Sequence, residues 1–327
     1  MIDKPSRTHQ WGLLFMVLCF LAPLFALGGC ESIYGLSEMR RVTADRIARP
    51  AFMVERSISA GSFHESLHHF SAWERMHAPN APAHVYIEGD GPFALFAPVS
   101  QNGTMGNPTP HNPVGLHLAA MDKAQNVAYL ARPCQYKTWQ DSCAPFYWNE
   151  GRFAHEVIQA YHMALDDIKA RYRIRGFHLI GYGGGGGIAA LVAAQRDDVL
   201  SLRSVAGILD HEVFTALHDI PPMRDSLNPV DSASELVHLP QHHFIGGNDP
   251  FVPPAVFQSW NQASGGSPCV HYTFIPENDH EGGWVSIWPE LLKASLACEI
   301  QPMPQRPVGV PPQEFLDVKK GSGRSKP

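Results

Sequence analysis

Phe177-His178-Leu179-Ile180-Gly181-Tyr182-Gly183-Gly184-Gly185-Gly186-Gly187-Ile188-Ala189-Ala190-Leu191 is an apolar run of strand length that meets five consecutive glycines and continues into an Ala/Leu/Val series. The order predicts strand, very sharp turn, helix. It is the frame of a nucleophile elbow, G-x-S-x-G, in which glycines flank a serine because strand and helix backbones crowd there. Gly181 and Gly185 take the flanking places, and the place between them is Gly183. The elbow is present and its nucleophile is absent.

Outward from this point the chain alternates. Upstream, Met53–Ile58, Phe63–Trp73 and His84–Glu88 read as strands, an antiparallel entry into a sheet. Val114–Met121 suits a helix, Asn126–Ala131 a short buried strand, and Arg152–Arg171 has helical spacing. Downstream, Ser204–Leu209, His243–Ile245 and Cys269–Ile275 read as strands, 215–240 as an irregular cover, and a last helix runs to about Ala297. Strands and helices alternating at this spacing predict an α/β fold with a mostly parallel, doubly wound sheet.

The 327 residues, 44% hydrophobic and 17% charged, are enough for one large α/β core once both ends are trimmed. A net charge of -6 without a long run of one sign argues against nucleic acid as a partner. Residues 1–29 read as a signal segment: Lys4 and Arg7 precede an almost unbroken apolar run from Gly12 to Leu27. Leu27-Gly28-Gly29-Cys30 resembles the bacterial lipobox, which implies cleavage before Cys30, lipid on its thiol and export. Glu31 follows in place of an aspartate that would favour inner-membrane retention, so the outer membrane is the expected site, on its periplasmic face. Residues 30–50 read as a tether or first helix, 51–300 as the folded domain, and the Pro-rich, basic 301–327 as a flexible tail.

Cys134, Cys143, Cys269 and Cys298 remain after the signal and the lipobox are set aside. An even number in an oxidising compartment predicts two disulfides; three pairings are open, and nearness favours Cys134–Cys143 and Cys269–Cys298. No C-x-x-C spacing supports a thiolate zinc site. His64-Glu65-Ser66-Leu67-His68 matches H-E-x-x-H, but it sits in strand-like composition and lacks the helix that puts both histidines on one face. Neither a metal nor a cofactor is implied.

Three loops at the carboxyl ends of strands follow in the order elbow, Asp249, His280. On this order, and on Val85–Gly91, Tyr129–Tyr136, Leu179–Ala190, Gly246–Pro254 and His280–Trp284, the chain resembles the α/β-hydrolase superfamily over residues 50–298. It is most similar to bacterial secreted or lipid-anchored serine hydrolases with G-Y-S-G-G-G at the elbow. The resemblance implies that Asp249 orients the imidazole of His280, the general base. It places the oxyanion on backbone N–H groups of Gly184 and of Asp90 or Gly91. Gly183 departs from the pattern: with no hydroxyl to deprotonate, no acyl-enzyme forms there. Loss of a triad nucleophile forfeits about 10⁶ in rate in a serine protease. The expectation is a hydrolase-like protein with hydrolysis lost or severely impaired, keeping a pocket for an ester- or amide-like ligand. An active serine-type hydrolase is the alternative, if 183 is a variant position or a water replaces the alcohol.

Overall fold

In a computed structural model of the chain, the described residues are 38–59, 69–91, 108–136 and 144–298. The signal segment, Cys30, the H-E-x-x-H stretch, Cys143 and the tail lie outside them. Among the described residues, eight strands form one sheet in the order β1-β2-β4-β3-β5-β6-β7-β8. β1 (Val54–Ser59) and β2 (His69–Met76) enter antiparallel, and β2 is antiparallel to β4 (Asn126–Leu130). From β4 the sheet is parallel through β3 (Ala83–Ile87), β5 (Phe177–Tyr182), β6 (Val199–Val205), β7 (Gln241–Gly246) and β8 (Val270–Ile275). The mostly parallel sheet with an antiparallel entry is the predicted architecture.

Both faces are covered, so the central strands are buried along nearly their whole length. α3 (His155–Tyr172), α4 (Gly184–Ala194), α5 (His211–Leu217) and α6 (Pro254–Ala263) cover one face. α1 (residues 38–48), α2 (Val114–Met121) and α7 (Trp284–Leu291) cover the other. In α3, Val157, Ile158, Tyr161, Ala164, Leu165 and Ile168 recur at helical spacing and are all buried. α1 is the first helix, not a tether: Ala44 and Ala48 are in the core.

Four boundaries differ from the sequence reading. β2 begins later than expected, at His69, and runs on to Met76. The sixth strand is Val199–Val205 rather than Ser204–Leu209, because the chain turns at Ala206, whose φ is 49°. Residues 215–240 are not wholly irregular: α5 extends to Leu217 and a 3-10 turn covers Pro229–Ser232. α7 ends at Leu291, well short of Ala297. Pro289 removes a helical donor, and the following carbonyls are taken by side chains: Arg203 reaches Leu292 and Ala294, His242 Ser295, and His271 Ala297. Cys269 and Cys298 are joined, so the second disulfide ties the start of β8 to the strap after α7 rather than to a helix. Cys134 is also disulfide-bonded; its expected partner Cys143 is outside the described residues.

Candidate active site

β5 delivers the elbow. Gly183 follows it with φ 52° and ψ -125°, a conformation that L side chains rarely adopt, and α4 starts at the next residue. The turn is pinned by its own backbone: Gly183 N–H donates to the Val205 carbonyl at 3.0 Å, and the Gly183 carbonyl accepts from Ile208 N–H at 3.0 Å. A Cβ on Gly181 would collide with the backbone of Gly185, and one on Gly185 with the Ile87 carbonyl, so both flanking places require glycine.

The loops after β7 and β8 carry Asp249 and His280 and are tied together by backbone bonds, Gly247 N–H to Ile275 at 2.9 Å and Asn248 N–H to Asn278 at 3.0 Å. His280 Nδ1–H donates to Asp249 Oδ2 at 2.9 Å. The other carboxylate oxygen of Asp249 accepts from the N–H groups of Phe251 and Val252, both at 2.8 Å. The Asp249 side chain is fully buried, and so held it fixes the imidazole tautomer, leaving Nε2 as an acceptor. The loop bearing His280 is held from three sides. Tyr182 Oη donates to the His280 carbonyl at 3.1 Å, Trp284 Nε1 donates to the same carbonyl at 2.9 Å, and the Phe251 ring stands edge-on to the imidazole at 5.6 Å.

His280 Nε2 faces the elbow. A Cβ built on Gly183 would lie 3.4 Å from it and 3.6 Å from Gly89 Cα, with no overlap. The site thus has a base, an acid that orients it, and space for a side chain at 183.

A cavity of about 130 Å³ opens at this point. Asp90, Tyr182 and His280 line it, together with Gly184, Glu88, Glu281 and an apolar wall that includes Ile208, Phe214 and Phe251. Asp249 is not part of the lining; it stands behind His280. The described residues just before α2 contribute Pro110 and Asn112, and the cover read over 215–240 contributes nothing.

Asp90 brings a side chain as well as the backbone group for which it was singled out. Its carboxylate packs so closely on Gly184 that a Cβ there would overlap it. Arg132 Nη1 donates to one oxygen at 2.7 Å and Arg152 Nη1 to the other at 3.1 Å, both guanidiniums being buried. Burial pushes the Asp90 carboxyl up, but the two guanidiniums outweigh it and hold it below the usual carboxylate range. Neither arginine was singled out as a site residue, although Arg132 falls in the matching stretch Tyr129–Tyr136.

Glu88 was missed altogether. Burial pushes its carboxyl up to about 7, against hydrogen bonds from Gly89, Tyr129 and Gly115. It caps α2 from a distance, supplying the acceptor that Pro113, at the N-cap position, cannot.

The sequence matches no family model and no curated protein. Solved structures match the fold. An esterase of Pyrococcus furiosus superposes with TM-score 0.51 at 11% identity, covering 75% of this chain and 90% of that one. An acylaminoacyl peptidase of Pyrococcus horikoshii superposes with TM-score 0.51 at 13% identity, over 72% of this chain and 39% of that one. The chain therefore spans the esterase almost completely and well under half of the peptidase. It has the α/β-hydrolase fold, as its resemblance implied.

Proposed function

We propose that this α/β-hydrolase-fold chain is an exported protein, anchored by lipid on Cys30 at the periplasmic face of the envelope, whose serine-type hydrolysis is lost while its cavity still binds a small ester- or amide-like ligand. One observation carries the reading: the His280 Nε2 acceptor is aimed at a position where the chain has only Cα hydrogens, 3.4 Å from the nearest place a side chain could begin. A general base without a proton donor on the enzyme cannot start acyl transfer. The Asp249–His280 pair, the Gly184 backbone and the apolar wall are the parts that recognise rather than react.

Fluorophosphonate labelling tests this. Protein as encoded should take up no label, and Gly183→Ser should take up one per chain, displacing fluoride by Ser Oγ while His280 accepts the proton. Labelling of the unaltered chain at any residue sinks the reading. Failure of Gly183→Ser to label, with its fold intact, would mean that the remaining groups are not poised. The intact 2.9 Å pair favours a second reading, an active hydrolase in which a water takes the place of the alcohol. Turnover of an ester that dies in His280→Ala but shows no acyl-enzyme in the mass spectrum would establish it.

A further inference from the structure

α1 has two unlike sides. Ala44 and Ala48 face the core, while Met39, Val42, Arg46 and Arg49 point outward at spacings of three, four and three residues, one stripe of the helix. Met39 is 59% exposed and Val42 39%; directly beyond the helix Phe52 is 78% and Val54 59% exposed. The end of α2 lies alongside, since the Arg75 guanidinium reaches the carbonyls of both Ala51 and Asp122, and it adds exposed Met121. Of the eleven exposed large hydrophobic residues described, four, Met39, Val42, Phe52 and Met121, belong to this side, while Val54 stands opposite Glu74, which bonds Arg171 of α3, and so points to the other face of the sheet. Scattered exposed apolar residues mean little, but contiguous ones mark a contact surface.

The charge of the edge opposes that of the chain. Residues 38–56 hold five arginines against three acids in a protein of net charge -6; Arg40, Arg41 and Arg56 turn to Thr109, Glu55 and Glu74, and Arg46 and Arg49 are the outward pair, Arg49 beside Asp45 at 3.1 Å. Cys30 stands eight residues before Glu38, so a lipid on it can lie no more than ~29 Å of extended chain from the start of α1. A lipid on Cys30 holds the chain near the bilayer without fixing which face meets it, and basic residues near the surface add an attraction to anionic lipid.

We propose that this edge, the outer stripe of α1 with Phe52, lies against an anionic membrane surface, its apolar side chains among the acyl boundary and Arg46 and Arg49 among the headgroups. The inference rests on the lipid-anchor reading. β8, at the opposite edge of the sheet, carries exposed Tyr272 and Phe274 seven strand spacings from β1, about 34 Å at ~4.8 Å per strand.

The full chain is anchored in vesicles of phosphatidylethanolamine with phosphatidylglycerol, exposed to hydroxyl radicals and read by mass spectrometry, with phosphatidylcholine vesicles as reference. In the anionic vesicles, labelling of Met39 and Phe52 should fall about threefold or more while Tyr272 and Phe274 hold, and R46E/R49E should restore it. Equal labelling in both lipids, with the chain anchored, overturns the proposal but leaves the anchor standing. Protection that is present without lipid marks a protein contact and also overturns it. An intact mass showing no lipid on Cys30 sinks the anchor instead. In that case the unanchored chain is sedimented with the anionic vesicles: binding weakened on the order of tenfold or more by R46E/R49E sustains the edge, and no binding ends it.

Discussion

Gly183 separates two properties that a serine at an elbow combines, a strained backbone and a reactive oxygen. At φ 52° and ψ -125° a residue with a Cβ is strained by about 1–3 kcal/mol. Glycine is free of that cost, so the chain should be more stable than its Gly183→Ser form. Gly183→Ala and Gly183→Ser should both lose roughly 1–3 kcal/mol in urea denaturation, and only the serine form should label. An alanine form as stable as the parent would mean that the elbow relaxes and that its left-handed geometry is not enforced. Glu88 makes a second prediction at this scale. Its carboxyl, raised from 4.5 to about 7, keeps a proton in the fold that the unfolded chain has released. Its contribution is therefore fully present below about pH 4.5, is lost as pH rises through about 7, and is absent above. The loss is on the order of 3 kcal/mol, and Glu88→Gln, which keeps an acceptor for the α2 backbone, should flatten the slope of stability between those values. Equal slopes in the two proteins would remove Glu88 as its source.

At the scale of elements, what could be read and what could not have separate causes. β3, β4, β5 and α2 were legible because their residues are apolar almost throughout, and a short apolar run between glycines and prolines is unambiguous once a helix follows. β6 was not, because Ser201, Arg203 and Ser204 make it look like a loop. Those groups are buried and paired across the sheet, Ser201 with His178 at 2.7 Å and Ser204 with His243 at 2.8 Å, and such pairing has no signature along the chain. Asp249 and His280 were found from their order behind successive strands; Glu88, Arg132 and Arg152 act through partners 20 to 62 positions away, which spacing does not reveal. The strap after α7 shows what such ties do. Cys269–Cys298 closes a loop with a separation of 29 residues, for which loop entropy gives about 3–4 kcal/mol. Cys298→Ser should lower stability by that order and loosen α7, and with it Trp284 and the His280 carbonyl. In a Gly183→Ser background the label should then go on more slowly, by stopped-flow or quench, than with the disulfide intact. An unchanged rate would show that α7 is held by Trp284 and Trp288 packing alone.

For the molecule as a whole, the Arg132–Asp90–Arg152 network raises the question of why a costly polar arrangement stands beside an elbow that carries no side chain. It joins the ends of β3 and β4 to the residues before α3, at the cavity end of the sheet, and Arg132 Nη2 also holds the Arg152 carbonyl at 2.6 Å. Burying two guanidiniums around one carboxylate is seldom a net gain over apolar packing, whereas removing the carboxylate alone strands two charges. Asp90→Asn should therefore cost about 3–5 kcal/mol, while an Arg132→Met, Asp90→Leu, Arg152→Met triple variant should come close to the parent. Equilibrium denaturation of both proteins decides it. If the triple variant folds as stably as the parent yet no longer binds esters or amides that the parent binds, the network is kept for the cavity and not for the fold. If the triple variant is as unstable as Asp90→Asn, the charges are structural, and their persistence says nothing about a ligand.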